Sequence, residues 1–260
     1  NGKTTTTLLV AHILEKAGYD VLVAGNIGTG FAKSISERDY DYIVLELSSF
    51  QLDGIKDFKA DIAILLNITP DHLDRYEYSF KNYIKSKLQI TNNQNKDDVF
   101  IYNYDDKNIR EMSNTKAKMI PFSLNKEFKT DGAFYKNNEI NINLNNNEMT
   151  IKDLALQGKH NVYNSMAAAV TSRVLEVKDF IIRQSFQDFK NIEHRLEHVI
   201  NVHGIEFIND SKATNINSVW FALESMNKDT IWIVGGVDKG NDYSELLELA
   251  DEKVKAIVCI

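Results

Sequence analysis

Asn1-Gly2-Lys3-Thr4, followed by Thr5, Thr6 and Thr7, sets a glycine, a lysine and a row of hydroxyls ahead of the helix-like run 8–16. This spacing is the second half of G-x-x-x-x-G-K-[ST], in which backbone N–H groups and a helix N-terminus cradle phosphates. In that chemistry Lys3 neutralises β/γ oxygens and the Thr4 hydroxyl sits on Mg2+, with Gly2 and Thr5 completing the cradle. Four residues at a helix start also arise by chance, so the other candidates must carry weight.

Glu46 closes the strand-like run Tyr42, Ile43, Val44 and Leu45. Ligands of doubly wound sheets bind at that carboxyl edge, and a carboxylate there offers hard oxygen to Mg2+. A glutamate facing water is the alternative, and the phosphate loop upstream favours the ligand. Asn67-Ile68-Thr69-Pro70-Asp71-His72-Leu73-Asp74-Arg75-Tyr76 again gathers polar groups after a strand-like run, 62–66. A neutral His72 imidazole could coordinate a metal there, oriented by Asp71, Asp74 and Arg75. The competing reading is a helix start capped by Asp71 or Asp74. Lys87 shares a helix face with Tyr83 and Ile90. A lysine on such a mixed face extends its amine to solvent, and spacing alone assigns it no function.

Asn161 and Asn164, in Gly158-Lys159-His160-Asn161-Val162-Tyr163-Asn164, share a face ahead of an Ala-rich helix. Their carboxamides suit reading a base edge; helix capping by Asn161 is an equal alternative. Further on come His194-Arg195, Asn209-Asp210-Ser211-Lys212-Ala213-Thr214-Asn215 and Gly235-Gly236-Val237-Asp238-Lys239-Gly240. The last two follow strand-like runs. Two lysine-bearing loops on adjacent strands, with an incoming arginine, favour a second site for an anionic small molecule.

Positioning these groups requires alternating strands and helices. Strands are expected at 21–24, 42–47, 62–66 and 99–102, with helices at 5–17, 32–38, 80–91 and 107–113. The class is α/β: a P-loop-type, mostly parallel sheet flanked by helices. Short antiparallel hairpins are expected at 133–135, 139–143 and 149–151, then helices at 161–176 and 180–189. A second, Rossmann-like α/β unit follows, with strands at 205–209, 230–234 and 256–259 and helices at 217–226 and 243–250. The expected domains are 1–191 and 192–260, and we expect both to be cut, the first within its phosphate loop and the second after a bare strand.

A net charge of −7 argues against general nucleic-acid binding while permitting a local phosphate pocket. The single cysteine, Cys259, excludes an internal disulfide framework and fits a reducing cytosol. No run approaches membrane-spanning length. The asparagine-rich stretch Asn145-Asn146-Asn147 reads as compositional bias.

In order, NGKTTT, GNIG, ELSSFQL, NITPDHLDRY, the lysine helix, GKHNVYN, EHR, NDSKATN and GGVDKG resemble the Mur ligase family, from residue 1 to at least 240. ELSSFQL and NDSKATN resemble most specifically its D-glutamate-adding branch. The resemblance implies a cytoplasmic, three-domain enzyme, monomeric at full length, acting in peptidoglycan precursor synthesis. By that resemblance ATP would phosphorylate the carboxylate of UDP-N-acetylmuramoyl-L-alanine, and the amine of D-glutamate would attack the acyl phosphate. It further implies Lys3, Thr4 and Glu46 at ATP and one Mg2+, and His72 and a carbamylated Lys87 at a second. Asn26 and Ser48 would contact the muramoyl substrate, Asn164 the adenine, and Arg195 and Asp210 the nucleotide. Lys212, Thr214 and Lys239 would orient D-glutamate, and the fragment alone would be inactive. The rivals are a folylpolyglutamate synthase-like ligase, against which ELSSFQL and NDSKATN speak, and a nucleotide-binding module without catalysis, which would not need Glu46, His72 and Lys87 together.

Overall fold

The computed structural model describes residues 1–112, 114–156, 158–189, 196–236 and 242–260. The chain forms two compact units, Asn1–Phe189 and Lys190–Ile260. In the first, α1 (Lys3–Lys16) leads into β1 (Val21–Gly25), α2 (Phe31–Glu37), β2 (Tyr42–Glu46) and the short α3 (Ser49–Leu52). Strand β3 (Ile62–Leu65) is followed by a 3-10 turn, Leu73–Tyr76, and α4 (Phe80–Leu88), which tightens into a 3-10 turn, Gln89–Thr91. Then come β4 (Val99–Asn103), α5 (Lys107–Met112), β5 (Lys118–Ser123), β6 (Gly132–Lys136), β7 (Glu139–Leu144), β8 (Asn147–Ile151), α6 (Lys159–Val174) and α7 (Asp179–Asp188).

Two sheets share this unit. β1 and β2 pair in parallel, with Gly25 opposite Glu46. The other sheet runs β3-β4-β5-β6-β7-β8, parallel through β6 and antiparallel beyond it. Helix α1 packs on α6, β1 and β2. That contact holds the β-branched run Thr4–Thr7, all buried, in a helix despite its modest propensity. In α6, Met166, Ala167, Ala168, Ala169 and Val170 are fully buried, and the small alanines let the helix approach closely. A cluster of Ala63, Leu65, Ile68, Tyr76, Tyr83, Ile84, Phe100, Ile109 and Ala117 forms the floor beneath the β3 and β4 ends.

The strands and helices expected in the first unit are present, and three of the differences stand out there. β5 was not anticipated; it lies between β4 and β6 and joins the hairpins to the parallel strands. The asparagine-rich stretch has a structural use. Asn137-Asn138 and Asn145-Asn146, all with φ between 52 and 62, form the two-residue connections of β6–β7 and β7–β8. Asparagine tolerates the left-handed conformation that such hairpin turns demand. Third, neither Asp71 nor Asp74 caps a helix: residue His72 is the N-cap of the 3-10 turn, in a left-handed conformation and without a side-chain bond.

In the second unit, β9 (Glu197–Val202) and β10 (Ile205–Asn209) form an antiparallel hairpin. α8 (Ile216–Ser225) leads to β11 (Thr230–Val234), which pairs in parallel with β12 (Val254–Cys259) after a 3-10 turn, Tyr243–Leu246, and α9 (Leu247–Lys253). Placing the two lysine loops on adjacent strands is therefore incorrect for the described residues. β10 is taken up by β9, which was not foreseen, and β11 by β12. Among the described residues no helix is long and apolar enough to cross a membrane.

Candidate active site

The first cluster forms where α1 begins. Gly2, at φ 80, turns the chain into α1, and a Cβ at that position would lie 2.1 Å from Asn164 Oδ1. Only glycine fits both the left-handed backbone and that approach. One residue into the helix, the Thr4 hydroxyl donates to Glu46 Oε2 at 2.7 Å. Asn26 Nδ2 donates to the other oxygen, Oε1, at 2.8 Å, and Asn26 N to the Glu46 carbonyl at 2.7 Å. Glu46 is 3% exposed. β2 thus ends on a buried carboxylate gripped from α1 on one side and from the β1 end on the other. Asn26, expected at the muramoyl substrate, holds Glu46 here.

Lys87 overturns the expectation of a solvent-extended amine. It is buried on α4, its ammonium 5.3 Å from the Tyr83 ring centre. Burial, reinforced by the Lys3 ammonium, lowers its pKa to about 8; Asp71, Glu46 and Asp53 oppose the shift. Those influences place Lys87 within electrostatic reach of both the α1 start and the β2 and β3 ends. The face shared with Tyr83 turns inward because Tyr83 and Ile84 belong to the core beneath the site.

His72 lies at the rim. Its ring meets Phe50 edge-on at 5.2 Å, and its Nε2 is 3.7 Å from Asp71 Oδ1. Arg75, expected to orient His72 directly, instead stacks over the same Phe50 ring at 4.3 Å. Ser48 N-caps α3 through a capping box: its hydroxyl accepts from Gln51 N, while Gln51 Oε1 accepts from Ser48 N and Oγ. The S-x-x-Q spacing inside ELSSFQL was the available signal for that cap.

Asn161 and Asn164 do share a face, with Asn164 Nδ2 donating to Asn161 Oδ1 at 3.2 Å. Asn161 does not cap α6, whose N-cap is Gly158. Asn164 is buried, and its Oδ1 accepts weakly from Thr6 Oγ1 at 3.4 Å, tying α6 to α1. Sequence reasoning missed Asp105, which the neighbouring Asp106 resembles too closely to single out. Its carboxylate accepts from Ser123 Oγ at 2.6 Å, Leu124 N at 2.7 Å and Tyr163 OH at 2.8 Å. That arrangement locks the N-terminal turn of α6 to the ends of β4 and β5.

In the second unit, Asp210, Lys212 and Thr214 follow β10, and Asp210 Oδ1 accepts from Leu196 N at 3.1 Å. Lys212 and Thr214 are exposed. Arg195 and Lys239 lie outside the described residues.

Thr4 and Glu46 supply hard oxygens side by side and fit a Mg2+ ion. The second expected set does not assemble from unmodified side chains. Among the described residues no group of three or more His, Cys, Asp or Glu is placed to hold a metal, and a lysine ammonium has no lone pair to offer.

Fold and cluster together define an α/β protein of the phosphate-loop type, with its candidate reactive groups at the β2 carboxyl end and on helices α1 and α4. The chain belongs to the Mur ligase family, whose model, described as Mur ligase middle domain, matches residues 1–172. It is 51% identical over 265 residues to a protein of Christiangramia forsetii named UDP-N-acetylmuramoylalanine--D-glutamate ligase, covering 100% of this chain and 59% of that protein. A protein of the same name from Bacteroides fragilis is 49% identical, with 99% and 59% covered. The chain therefore spans 59% of the length of these curated relatives. Among solved structures, MurF from Acinetobacter baumannii superposes with a TM-score of 0.76 at 19% identity, covering 99% of this chain and 65% of that one. A MurF ligase from Thermotoga maritima in complex with ADP gives 0.73 at 18%, covering 99% and 68%. At those identities the likeness concerns the fold.

Proposed function

We propose that this chain is the phosphate-handling part of a ligase that joins D-glutamate to UDP-N-acetylmuramoyl-L-alanine at the expense of ATP. The observation that carries the chemistry is the convergence of Lys3, the Thr4–Glu46 pair and buried Lys87 at one edge. The names of the half-identical relatives support the substrates. On this reading residues 1–191 are the central ATPase domain and 192–260 part of a C-terminal ligase domain, in a cytoplasmic enzyme that is a monomer at full length.

A carboxylate resists amines until its oxygen becomes a good leaving group, which phosphorylation provides. Positioning and charge neutralisation dominate such phosphoryl transfers. Gly2, Lys3, Thr4 and Thr5 hold the ATP phosphates, and Thr4 with Glu46 holds Mg2+, which supplies charge neutralisation when bound. Asn26 keeps the Glu46 oxygens in place. Asn161 and Asn164 serve the adenine, and Arg195 and Asp210 are assigned to the nucleotide. Lys212, Thr214 and Lys239 orient D-glutamate, and Ser48 lies at the muramoyl substrate.

Lys87 is suited to carbamylation. With a pKa of about 8, roughly a tenth of its amines are neutral at pH 7, against well under a thousandth for an ordinary lysine. The neutral nitrogen attacks CO2, an N–C bond forms, and the nitrogen proton leaves to solvent, giving an oxygen ligand that with His72 would hold a second Mg2+.

The test is ADP release by the full-length ligase. UDP-N-acetylmuramoyl-L-alanine plus D-glutamate should stimulate it. Stimulation by a folate plus L-glutamate instead would favour the folylpolyglutamate synthase-like alternative, and no stimulation by either would favour a non-catalytic module.

A further inference from the structure

The candidate residues Glu46, His72 and Lys87 sit on three separate segments, and a single phenol joins all three. Glu46 ends β2 shortly before α3, His72 directly precedes the turn Leu73–Tyr76, and Lys87 lies on α4. The Tyr76 hydroxyl donates at 3.0 Å to Oδ2 of Asp53, the C-cap of α3. It also lies 3.2 Å from Ser86 Oγ, the neighbour of Lys87 on α4. Ser86 in turn donates at 3.2 Å to the carbonyl of Ser49, the first residue of α3.

Proton counting fixes the pattern. A carboxylate and a carbonyl only accept, so the Tyr76 proton goes to Asp53, and Ser86 shares its proton between the Ser49 carbonyl and the Tyr76 oxygen. Tyr76, Ser49 and Ser86 are buried and Asp53 is exposed, so breaking the bonds at Ser86 leaves a buried polar atom without water, whereas Asp53 itself stays hydrated. Ring packing alone does not call for the hydroxyl. The Tyr76 ring sits in the apolar cluster, edge-on to Tyr83 at 5.3 Å, where phenylalanine would pack as well.

We propose that Tyr76 is a positioning residue, which through Asp53, Ser86 and Ser49 sets the α4 helix bearing Lys87 against the strand end bearing Glu46. Its importance for turnover rests on the ligase reading, whereas its effect on site geometry does not. Lys87 projects from α4 one residue beyond Ser86, so a shift of α4 along α3 carries the Lys87 amine away from Glu46. The bonds at Ser86 oppose that slide, and the bond to Asp53 keeps the His72 segment in step.

The test uses Tyr76→Phe in the full-length ligase, read by steady-state kinetics, thermal unfolding and Mn2+ binding with ADP by electron paramagnetic resonance. We expect kcat and Mn2+ affinity each to fall about tenfold, the scale on which groups supporting a metal ligand act, with KM for ATP nearly unchanged. Asp53→Asn, which keeps an accepting oxygen, should retain most of kcat, while Asp53→Ala should behave like Tyr76→Phe. If Tyr76→Phe does not fold, Ser86→Ala must show the same split between kcat and KM. A lowered unfolding temperature with kcat and Mn2+ affinity equal to the parent overturns the proposal, as does equal Mn2+ behaviour in parent and variant. A parent without ligase activity refutes the functional reading, and the Mn2+ comparison then decides the positioning role by itself.

Discussion

Lys87 draws its reactivity from where it is held. An amine buried beside Lys3 releases its proton near pH 8 rather than 10.5, so the folded chain carries an electrostatic cost at neutral pH. The folded pKa lies below the unfolded one, so between them the unfolded chain binds more protons and stability rises with pH. Lys87→Met in bicarbonate-free buffer should therefore stabilise the protein at pH 7 by up to about 3 kcal/mol, with the gain fading between pH 8 and 10.5. Denaturant titrations at several pH values measure it; a gain as large at pH 10.5 as at pH 7 would contradict the assignment. Glu46→Gln keeps the shape of the Thr4–Glu46–Asn26 contact but halves its accepting capacity and removes its charge. Turnover of the full-length ligase should drop on the order of 100-fold while the unfolding temperature changes little. Glu46 was legible from its place at a strand end. The depth of Lys87 was not, because the sequence shows which residues share its face and not which way that face points.

Two turns govern how the elements meet. Gly25, at φ 102, lies where a Cβ would come within 2.3 Å of the Glu46 carbonyl. Gly25→Ala should therefore cost about 1–3 kcal/mol and loosen the β1–β2 ends around Glu46, measurable by chemical denaturation. At the other edge, Tyr163 ties α6 to Asp105, and burial together with that carboxylate pushes its phenol upward. Tyr163→Phe should weaken ADP binding several-fold by freeing the turn that carries Asn161 and Asn164, with calorimetry as the measure; unchanged affinity would detach that turn from the nucleotide. Short, wholly apolar runs containing valine or isoleucine, such as β1 and β3, were plain from composition. β5 was hidden because Pro121 interrupts it and proline removes a ladder donor, yet it pairs with Tyr102 in register. The paired asparagines of the hairpins were equally readable as turns, since each pair sits between alternating runs.

At the scale of the molecule, motif order identified the family, while the first unit shows what several of those motifs do together: Lys3 and Thr4 at the α1 start meet Glu46 at the β2 end, with Lys87 buried on α4. The second unit was less legible. Its hairpin strand β9 mixes polar residues with Val199, Ile200 and Val202, all exposed, so no buried run announced it. The central claim is that Lys3, Thr4, Glu46 and Lys87 serve transfer of a phosphoryl group to a substrate carboxylate. The most direct measurement follows 18O placed in the L-alanyl carboxylate of UDP-N-acetylmuramoyl-L-alanine through a turnover of the full-length ligase with ATP and D-glutamate. An acyl phosphate requires one labelled oxygen to leave with inorganic phosphate as the amide forms. Label in the released phosphate is the predicted result, and product formation with unlabelled phosphate would contradict the account.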